Sequence, residues 1–261
     1  MSFPEIHTIL QSFSPVSLEE IDSVRLMNRI ETKYVFCTSR IPDLLTYLAS
    51  SYKILEIGQE RAFNYNTNYL DTGDMLFYNQ HVTGKLARHK IRYRKYESTG
   101  NTFLEIKRKT NKNRTIKWRI ENNMNSDGLD EKASLFIKKH IPFNSFVLHP
   151  VLKNRFTRIT LTGNETKERI TFDTDLCFSS MNGEAAELPY IVIAELKSEG
   201  NPSHSAFVKA ARQNGIYPTG FSKYCVGNAL LLDVPKKNSI KPKLLLLNKI
   251  KNEYSKLYVS G

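Results

Sequence analysis

Three tripeptides in this chain set a carboxylate and an ammonium two residues apart: Glu31-Thr32-Lys33, Glu105-Ile106-Lys107 and Glu195-Leu196-Lys197. Side chains two apart on an extended strand share a face, so each tripeptide would hold its Glu beside its Lys. Carboxylate oxygens suit hard divalent cations such as Mg²⁺ or Mn²⁺, while lysine and arginine neutralise phosphate oxygens. Together they suit metal-assisted phosphoryl transfer. The same pairs could equally neutralise one another, and a single copy would say little.

The surrounding residues strengthen the first reading. One row of the segment Arg88 to Glu97 holds Arg88, Lys90, Arg92 and Arg94, and one row of Thr102 to Lys109 holds Glu105, Lys107 and Lys109. In Arg114 to Ile120 the row Thr115, Lys117, Arg119 opposes Ile116, Trp118 and Ile120, and in Glu168 to Asp175 the row Arg169, Thr171, Asp173 opposes Ile170 and Phe172. In any one strand such a polar row simply faces water. Its repetition is harder to dismiss, because like charges about 7 Å apart repel by roughly 2 kcal/mol at an effective dielectric near 20. A solvated surface would intersperse both signs. Closing the strands on themselves would gather these rows in one lumen and turn the apolar rows outward against helices.

The elements that must position these rows are legible from periodicity. Period-two alternation predicts eight strands: Arg29 to Phe36, Ala62 to Asp71, Arg88 to Glu97, Thr102 to Lys109, Arg114 to Ile120, Asn154 to Leu161, Glu168 to Asp175 and Tyr190 to Lys197. Short polar connections such as Ser98-Thr99-Gly100-Asn101 make the pairing antiparallel. Helical patterns cover Leu18 to Asn28 after Ser17 as N-cap, Pro42 to Ser50, Asp130 to Ile141, Ser203 to Asn214 and Ser222 to Leu232. Glu121 to Gly128, Thr162 to Lys167 and Asn182 to Glu187 read as loops. The expected fold is α+β: an eight-stranded antiparallel β-barrel, a triphosphate tunnel, with flanking helices.

At 261 residues, with 40% hydrophobic and 25% charged residues, the chain is bounded to one well-cored globular domain. Expected segments are an N-terminal helical part (1–28), the barrel (29–232) and a basic C-terminal tail or helix (233–261) around Leu244 to Leu247. That tail could touch an acidic membrane, although a docked helix is the simpler reading. Net charge is +12, and thirteen Lys or Arg lie between Lys85 and Arg119 against only Glu97 and Glu105, which points to a polyanionic partner. No helix-turn-helix, zinc-finger or aromatic RNA signature accompanies the charge, so no specific nucleic-acid partner is expected. The three cysteines, Cys37, Cys177 and Cys225, are odd in number and scattered, and no long apolar run or export signal is visible, so a cytoplasmic setting is expected. The six histidines show no ligand spacing, and Asp71 reads as a strand-ending turn aspartate.

A resemblance can now be placed on these residues. Arg29-Ile-Glu-Thr-Lys-Tyr34, Asn68-Tyr-Leu-Asp-Thr72, Lys90-Ile-Arg-Tyr-Arg94, Phe103-Leu-Glu-Ile-Lys107, Arg169-Ile-Thr-Phe-Asp173, Ile193-Ala-Glu-Leu-Lys197 and Phe221-Ser-Lys-Tyr224 resemble, in order and spacing, the VTC domain. That domain is the polyphosphate polymerase module related to the CYTH triphosphate tunnel metalloenzymes. The resemblance spans about Arg29 to Leu232. It implies transfer of the ATP γ-phosphate to a polyphosphate chain held in a basic tunnel, with Mn²⁺ or Mg²⁺ as cofactor, and it leaves room for a membrane-protein partner that exports the polymer.

Under this resemblance Arg92, Arg94, Lys107, Arg158 and Arg169 are expected at the transferring phosphoryl group. Lys33, Arg88, Lys90, Lys117, Arg119, Lys197, Ser222 and Lys223 are expected along the remaining phosphates. Glu195 is the expected metal ligand, with Glu31 and Glu105 as further candidates. Two departures stand out. The CYTH signature has a glutamate where this chain has Arg29, which argues against a fully carboxylate-lined two-metal hydrolase site. The VTC pattern commonly has a tyrosine where this chain has Phe156, so one phenolic donor is missing and a slower enzyme is expected. A triphosphatase and a binding module without turnover are the competing expectations.

Overall fold

The computed structural model describes residues 3–23, 29–112, 114–124, 128–141 and 147–258. The chain begins α1 (Phe3–Gln11), β1 (Ser14–Val16), α2 (Leu18–Ser23), β2 (Arg29–Cys37), α3 (Ile41–Leu48), β3 (Tyr52–Leu55), β4 (Phe63–Asp71), α4 (Leu76–Val82), β5 (Arg88–Tyr96) and β6 (Thr102–Lys109). It continues through β7 (Thr115–Glu121), α5 (Glu131–His140), β8 (His149–Gly163), β9 (Glu168–Ser180), β10 (Ala185–Leu188), β11 (Ile191–Glu199), α6 (Ala206–Gln213), α7 (Lys223–Leu231) and α8 (Lys241–Tyr258). The predicted strands map onto β2, β4 to β9 and β11. The expected helix over Leu18 to Asn28 is seen as α2, with its last five residues outside the described ones. Ser17 and Glu20 close the start of α2 reciprocally, Glu20 N–H donating to Ser17 Oγ (3.2 Å) and Ser17 N–H to the Glu20 carboxylate (2.8 Å). The loop expected over Asn182 to Glu187 is instead partly strand, since β10 pairs with β9 from Ala185↔Ser179 onward.

The main path of the sheet runs β2-β11-β9-β8-β4-β5-β6-β7, all antiparallel. It does not close, which corrects the expected barrel: β2 and β7 are its two ends. The outer edge of β2 is already engaged, because Tyr34 bridges Pro218 and the Thr219 N–H donates to the Lys33 carbonyl (2.6 Å). At the other end β7 is largely exposed and pairs with β6 alone among the described strands.

The sheet is nevertheless strongly curled. Five strand-to-strand steps separate β6 from β11, about 24 Å on a flat sheet, well beyond the roughly 8–10 Å screening length. Lys33 of β2 and Lys90 of β5, also five steps apart along the sheet, nevertheless reach adjacent residues, the Phe221 carbonyl (3.2 Å) and Ser222 Oγ (3.0 Å). The two halves therefore face each other across a cleft.

Apolar rows cover the convex side. Tyr34, Phe36, Ile159, Leu161, Ile170, Phe172, Val192 and Leu196 pack beneath Leu44, Leu45 and Leu48 of α3 and Phe207 of α6. On the other half, Ile91, Tyr93, Leu104 and Ile106 pack with Phe77 of α4 and Ala133 of α5. Each fully buried Leu, Ile or Phe of these rows contributes roughly 1.5–3 kcal/mol. One end of the concave side is also apolar: Val35, Leu152, Leu176, Phe178, Ile191 and Ile193 lie under Phe221 and under Tyr224 and Val226 of α7, with Leu247 and Ile250 of α8 behind.

A single residue lets β9 serve both environments. Opposite the irregularity between Arg155 and Thr157 of β8, Asp175 adopts φ +51°, a left-handed conformation that aspartate tolerates. This bulge resets the alternation, so Leu176 and Phe178 join the face of Asp173 rather than that of Phe172. No described helix is long and apolar enough to cross a membrane.

Candidate functional site

The concave face carries the polar rows, and the strand register sets their order. Arg158, Asp173 and Ile193 lie side by side across β8, β9 and β11; Thr160, Thr171, Glu195 and Lys33 form the next line; Thr162, Arg169, Lys197 and Glu31 the third. On the opposing half, Arg92 faces Glu105 and Lys90 faces Lys107, which in turn faces Lys117.

Three carboxylates organise these cations. Glu105, fully buried, takes Arg92 on one oxygen (2.6 and 2.7 Å) and Lys117 on the other. Burial opposes its charge, but Arg92, Arg94 and Lys117 outweigh burial and hold it far below the usual carboxylate range. Asp173 receives a bidentate Arg158 (2.6 and 2.8 Å) together with Lys223, and it too is driven down against burial. Glu195 pairs with Lys197 (2.9 Å) and Lys33 (3.4 Å), which again overcome desolvation and leave it well below its ordinary value.

The cations themselves are poorly solvated. Burial pushes Lys107 well below the usual lysine range, with Arg92 adding to the effect and Glu195 opposing it. Lys90 and Lys223 are each brought down to about 8, in both cases chiefly by burial. Arg94 is 7% exposed and its Nε donates to Thr67 Oγ1 (3.3 Å), so its positive charge has no direct carboxylate partner on its Nε. Phe156 and Tyr65 stack at 5.3 Å between centroids, and Arg94, Arg158 and Lys223 all lie over the Phe156 ring, at 5.7, 5.2 and 4.4 Å.

The segment entering α7 closes the cleft from the side. Ser222 Oγ accepts the Cys225 N–H (3.2 Å) as N-cap and also accepts from Lys90 Nζ (3.0 Å), while Lys33 Nζ donates to the Phe221 carbonyl (3.2 Å). The start of α7 thus presents Ser222 and Lys223 to the cleft.

Of the residues expected from sequence, the fold brings together Lys33, Lys90, Arg92, Arg94, Lys107, Lys117, Arg158, Lys197, Ser222, Lys223, Glu105 and Glu195. Arg169 sits on the same face by register, between Thr162 and Lys197. Arg88 turns away, donating to His81 Nδ1 (3.2 Å) and the Lys85 carbonyl (2.7 Å). Arg119 is exposed and lies over Phe103, and Glu31 is exposed at the end of its line, opposite Lys197. Asp173 and the Tyr65–Phe156 platform carry no role in the sequence reading. Asp173 stands in the same alternating row as Arg169, which is the signal that could have found it. The platform depends on pairing Tyr65 with Phe156 across β4 and β8, and no local pattern encodes that.

A divalent ion has a restricted welcome here. Among the described residues no three His, Cys, Asp or Glu side chains group to hold a metal. Glu105 and Asp173 are sealed in ion pairs at 0% and 4% side-chain exposure, whereas Glu195 keeps 22%. The donor set fits an ion held by Glu195 and completed by phosphate oxygens and water, as Mg²⁺-type sites commonly are. It does not fit a cage made by protein alone.

Comparison with known proteins returned no match among curated proteins. Among solved structures, HpAC1 of Hippeastrum, described as having a dominant triphosphatase activity, aligns at 13% identity and TM-score 0.46, covering 78% of this chain and 97% of its own. A candidate adenylate cyclase of Bacillus halodurans aligns at 13% identity and TM-score 0.45, covering 75% and 96%. PH1819 of Pyrococcus horikoshii OT3 aligns at 14% and 0.43, covering 75% and 93%. The model of the VTC domain matches residues 28–232, which include every strand of the main path and α7, and the chain belongs to the VTC domain family.

Proposed function

We propose that this protein is a metal-dependent polyphosphate polymerase that passes the γ-phosphate of ATP to the end of a polyphosphate chain lying in the cleft. Family membership supports an activity on polyphosphate or a triphosphate. The observation that carries the finer reading is the surplus of cations, most of them largely buried, on the concave face. Among the described residues Lys33, Lys90, Arg92, Arg94, Lys107, Arg158, Lys197 and Lys223 gather round Glu105, Asp173 and Glu195, each already multiply paired. Phosphoryl transfer needs positioning and neutralised charge more than a nucleophilic side chain. Arg92, fixed by Glu105, and Arg158, fixed by Asp173 and by the aromatic platform, supply planar donors that need no reorganisation.

The state of the carboxylates favours transfer over hydrolysis. Glu105, Asp173 and Glu195 are all held below their ordinary pKa and are therefore weak general bases. The terminal oxygen of a polyphosphate is already anionic and needs no such base to act as acceptor. An ion at Glu195, Mn²⁺ or Mg²⁺, would supply Lewis-acid neutralisation of phosphate oxygens.

The test is incubation of purified protein with ATP and Mn²⁺, with polymer and orthophosphate resolved, beside Glu195→Gln. Polymer that disappears in the variant supports the reading. Orthophosphate without chain growth makes the protein a triphosphatase, and binding of polyphosphate with no product makes it a binding module.

A further inference from the structure

An aromatic run leads outward from the cation cluster. Phe156 is buried at 1% exposure; Tyr65 stacks on it; Tyr96 meets Tyr65 at 5.0 Å, and Phe103 meets Tyr96 edge-on at 5.8 Å and 89°. The run ends under Arg119 of β7, whose guanidinium carbon lies 4.9 Å from the Phe103 centroid and whose residue is exposed. Arg119 therefore lies over an aromatic ring at the exposed rim, apart from the buried cations of the cleft.

Register ties this rim to the cluster. Phe103 is paired with Arg94 across β5 and β6, and Arg119 with Glu105 across β6 and β7. Phe103, Glu105 and Lys107 share one face of β6, and Phe103 to Lys107 spans about 13 Å along the strand. That is close to the extended length of a nucleoside triphosphate from base to terminal phosphorus. A supported guanidinium plane is a recognised surface for base stacking, and it accepts any base because every base presents a π face.

We infer that Arg119, backed by Phe103, is the stacking platform for the nucleobase of the triphosphate donor, a specificity element separate from the phosphate-binding cations. This inference rests on the reading that the cleft binds triphosphate. A ligand enters with its phosphates toward Arg92, Arg94 and Lys107 and leaves its base on the outer face of Arg119. A ligand with no base, such as tripolyphosphate, uses only the cations.

Arg119→Lys separates the two contributions, since it keeps the charge and removes the plane, and an exposed position on β7 tolerates it. The full chain is titrated calorimetrically at fixed Mg²⁺ with ATP and, separately, with tripolyphosphate; Phe103→Leu is measured as a second variant. Arg119→Lys is expected to weaken ATP about fivefold and to leave tripolyphosphate within twofold, the low end of base-stacking contributions. Phe103→Leu is expected to show the same selectivity. Equal weakening of both ligands, or no change in ATP affinity, overturns the platform while leaving the cleft reading intact. A wild-type protein that binds neither ligand overturns the cleft reading, and the platform with it.

Discussion

The ammonium of Lys223 lies 4.4 Å from the centroid of Phe156 while it also reaches the Asp173 carboxylate. A residue expected only to lack a hydroxyl thus serves as a surface on which three cations are held in place. Phe156→Leu conserves most of the volume and removes the π face. It should cost less than about 1.5 kcal/mol of stability yet weaken tripolyphosphate binding about threefold, as judged by urea unfolding and titration of one preparation.

The lysines beside this surface predict a proton signature. Burial brings Lys90 and Lys223 down to about 8, against about 10.5 for an ordinary lysine. Between those values the folded lysines have lost a proton that the unfolded chain retains. Their penalty to folding is therefore full below about pH 8 and fades as pH rises toward 10.5. A bound polyanion reverses the preference by favouring the charged form. Long-chain polyphosphate, whose internal phosphates do not titrate in this range, should take up protons on binding at pH 8. Calorimetry in buffers of different ionisation heat should detect the uptake, and a Lys90→Met, Lys223→Met double variant should reduce it, with Lys107, also held low by burial, supplying the remainder.

Asp71 is a second hub, outside the polar rows of the concave face. Fully buried, it accepts from the backbone N–H groups of Thr72, Phe77 and Tyr78 and from the hydroxyl of Tyr224, so it caps α4 and ties α4 to α7. Its reading as a turn aspartate agrees with this. Asp71→Ala leaves several buried donors without an acceptor and should cost about 3 kcal/mol, with Tyr224→Phe nearer 1 kcal/mol; denaturant midpoints at constant m-value check both.

Gly227 fixes how closely α7 approaches the sheet. A Cβ at this position would come within 2.6 Å of Leu152 and Phe178. Gly227→Ala should therefore destabilise the fold by about 1–3 kcal/mol through overpacking. Because the same helix carries Ser222 and Lys223 to the cleft, tripolyphosphate affinity should fall as well, whereas a substitution at exposed Lys236 should change neither.

The carboxylate assignments predict a split between binding and turnover. Glu195→Gln removes one negative charge from between Lys33 and Lys197. Metal-free tripolyphosphate should then bind at least as tightly as to the wild type, while product formation with ATP and Mn²⁺ is lost. Parallel titration and product assays distinguish this from general damage, which would lower both.

Much of the wall was legible because strand alternation is a local signal: Arg92 and Arg94, or Lys107 and Glu105, must share a face wherever the strand lies. What alternation cannot report is which strand stands opposite. Glu105 read as a metal candidate, yet Arg92 and Lys117 arrive from the two neighbouring strands and occupy it. Barrel closure failed for the same reason, because the edge of β2 is taken by Pro218 and Thr219 from a segment 184 and more residues away in sequence. The predicted end of β9 at Asp175 was instead the bulge, where alternation breaks although the strand runs on to Ser180. Short β1, β3 and β10 and the brief helix α4 carry too few residues for periodicity to register.

Under the proposed function, that bulge bears on how long a polyanion the cleft holds. Were β9 regular, its inward row would continue from Asp173 through Asp175, Cys177 and Ser179, and hydrophilic floor would extend beneath α7. The turn of one backbone angle at Asp175 converts the rest of the strand into the greasy seat of that helix. The number of phosphates within reach of the wall is in this sense metered by the position of a single residue, and shifting it by two would move the boundary by about 7 Å.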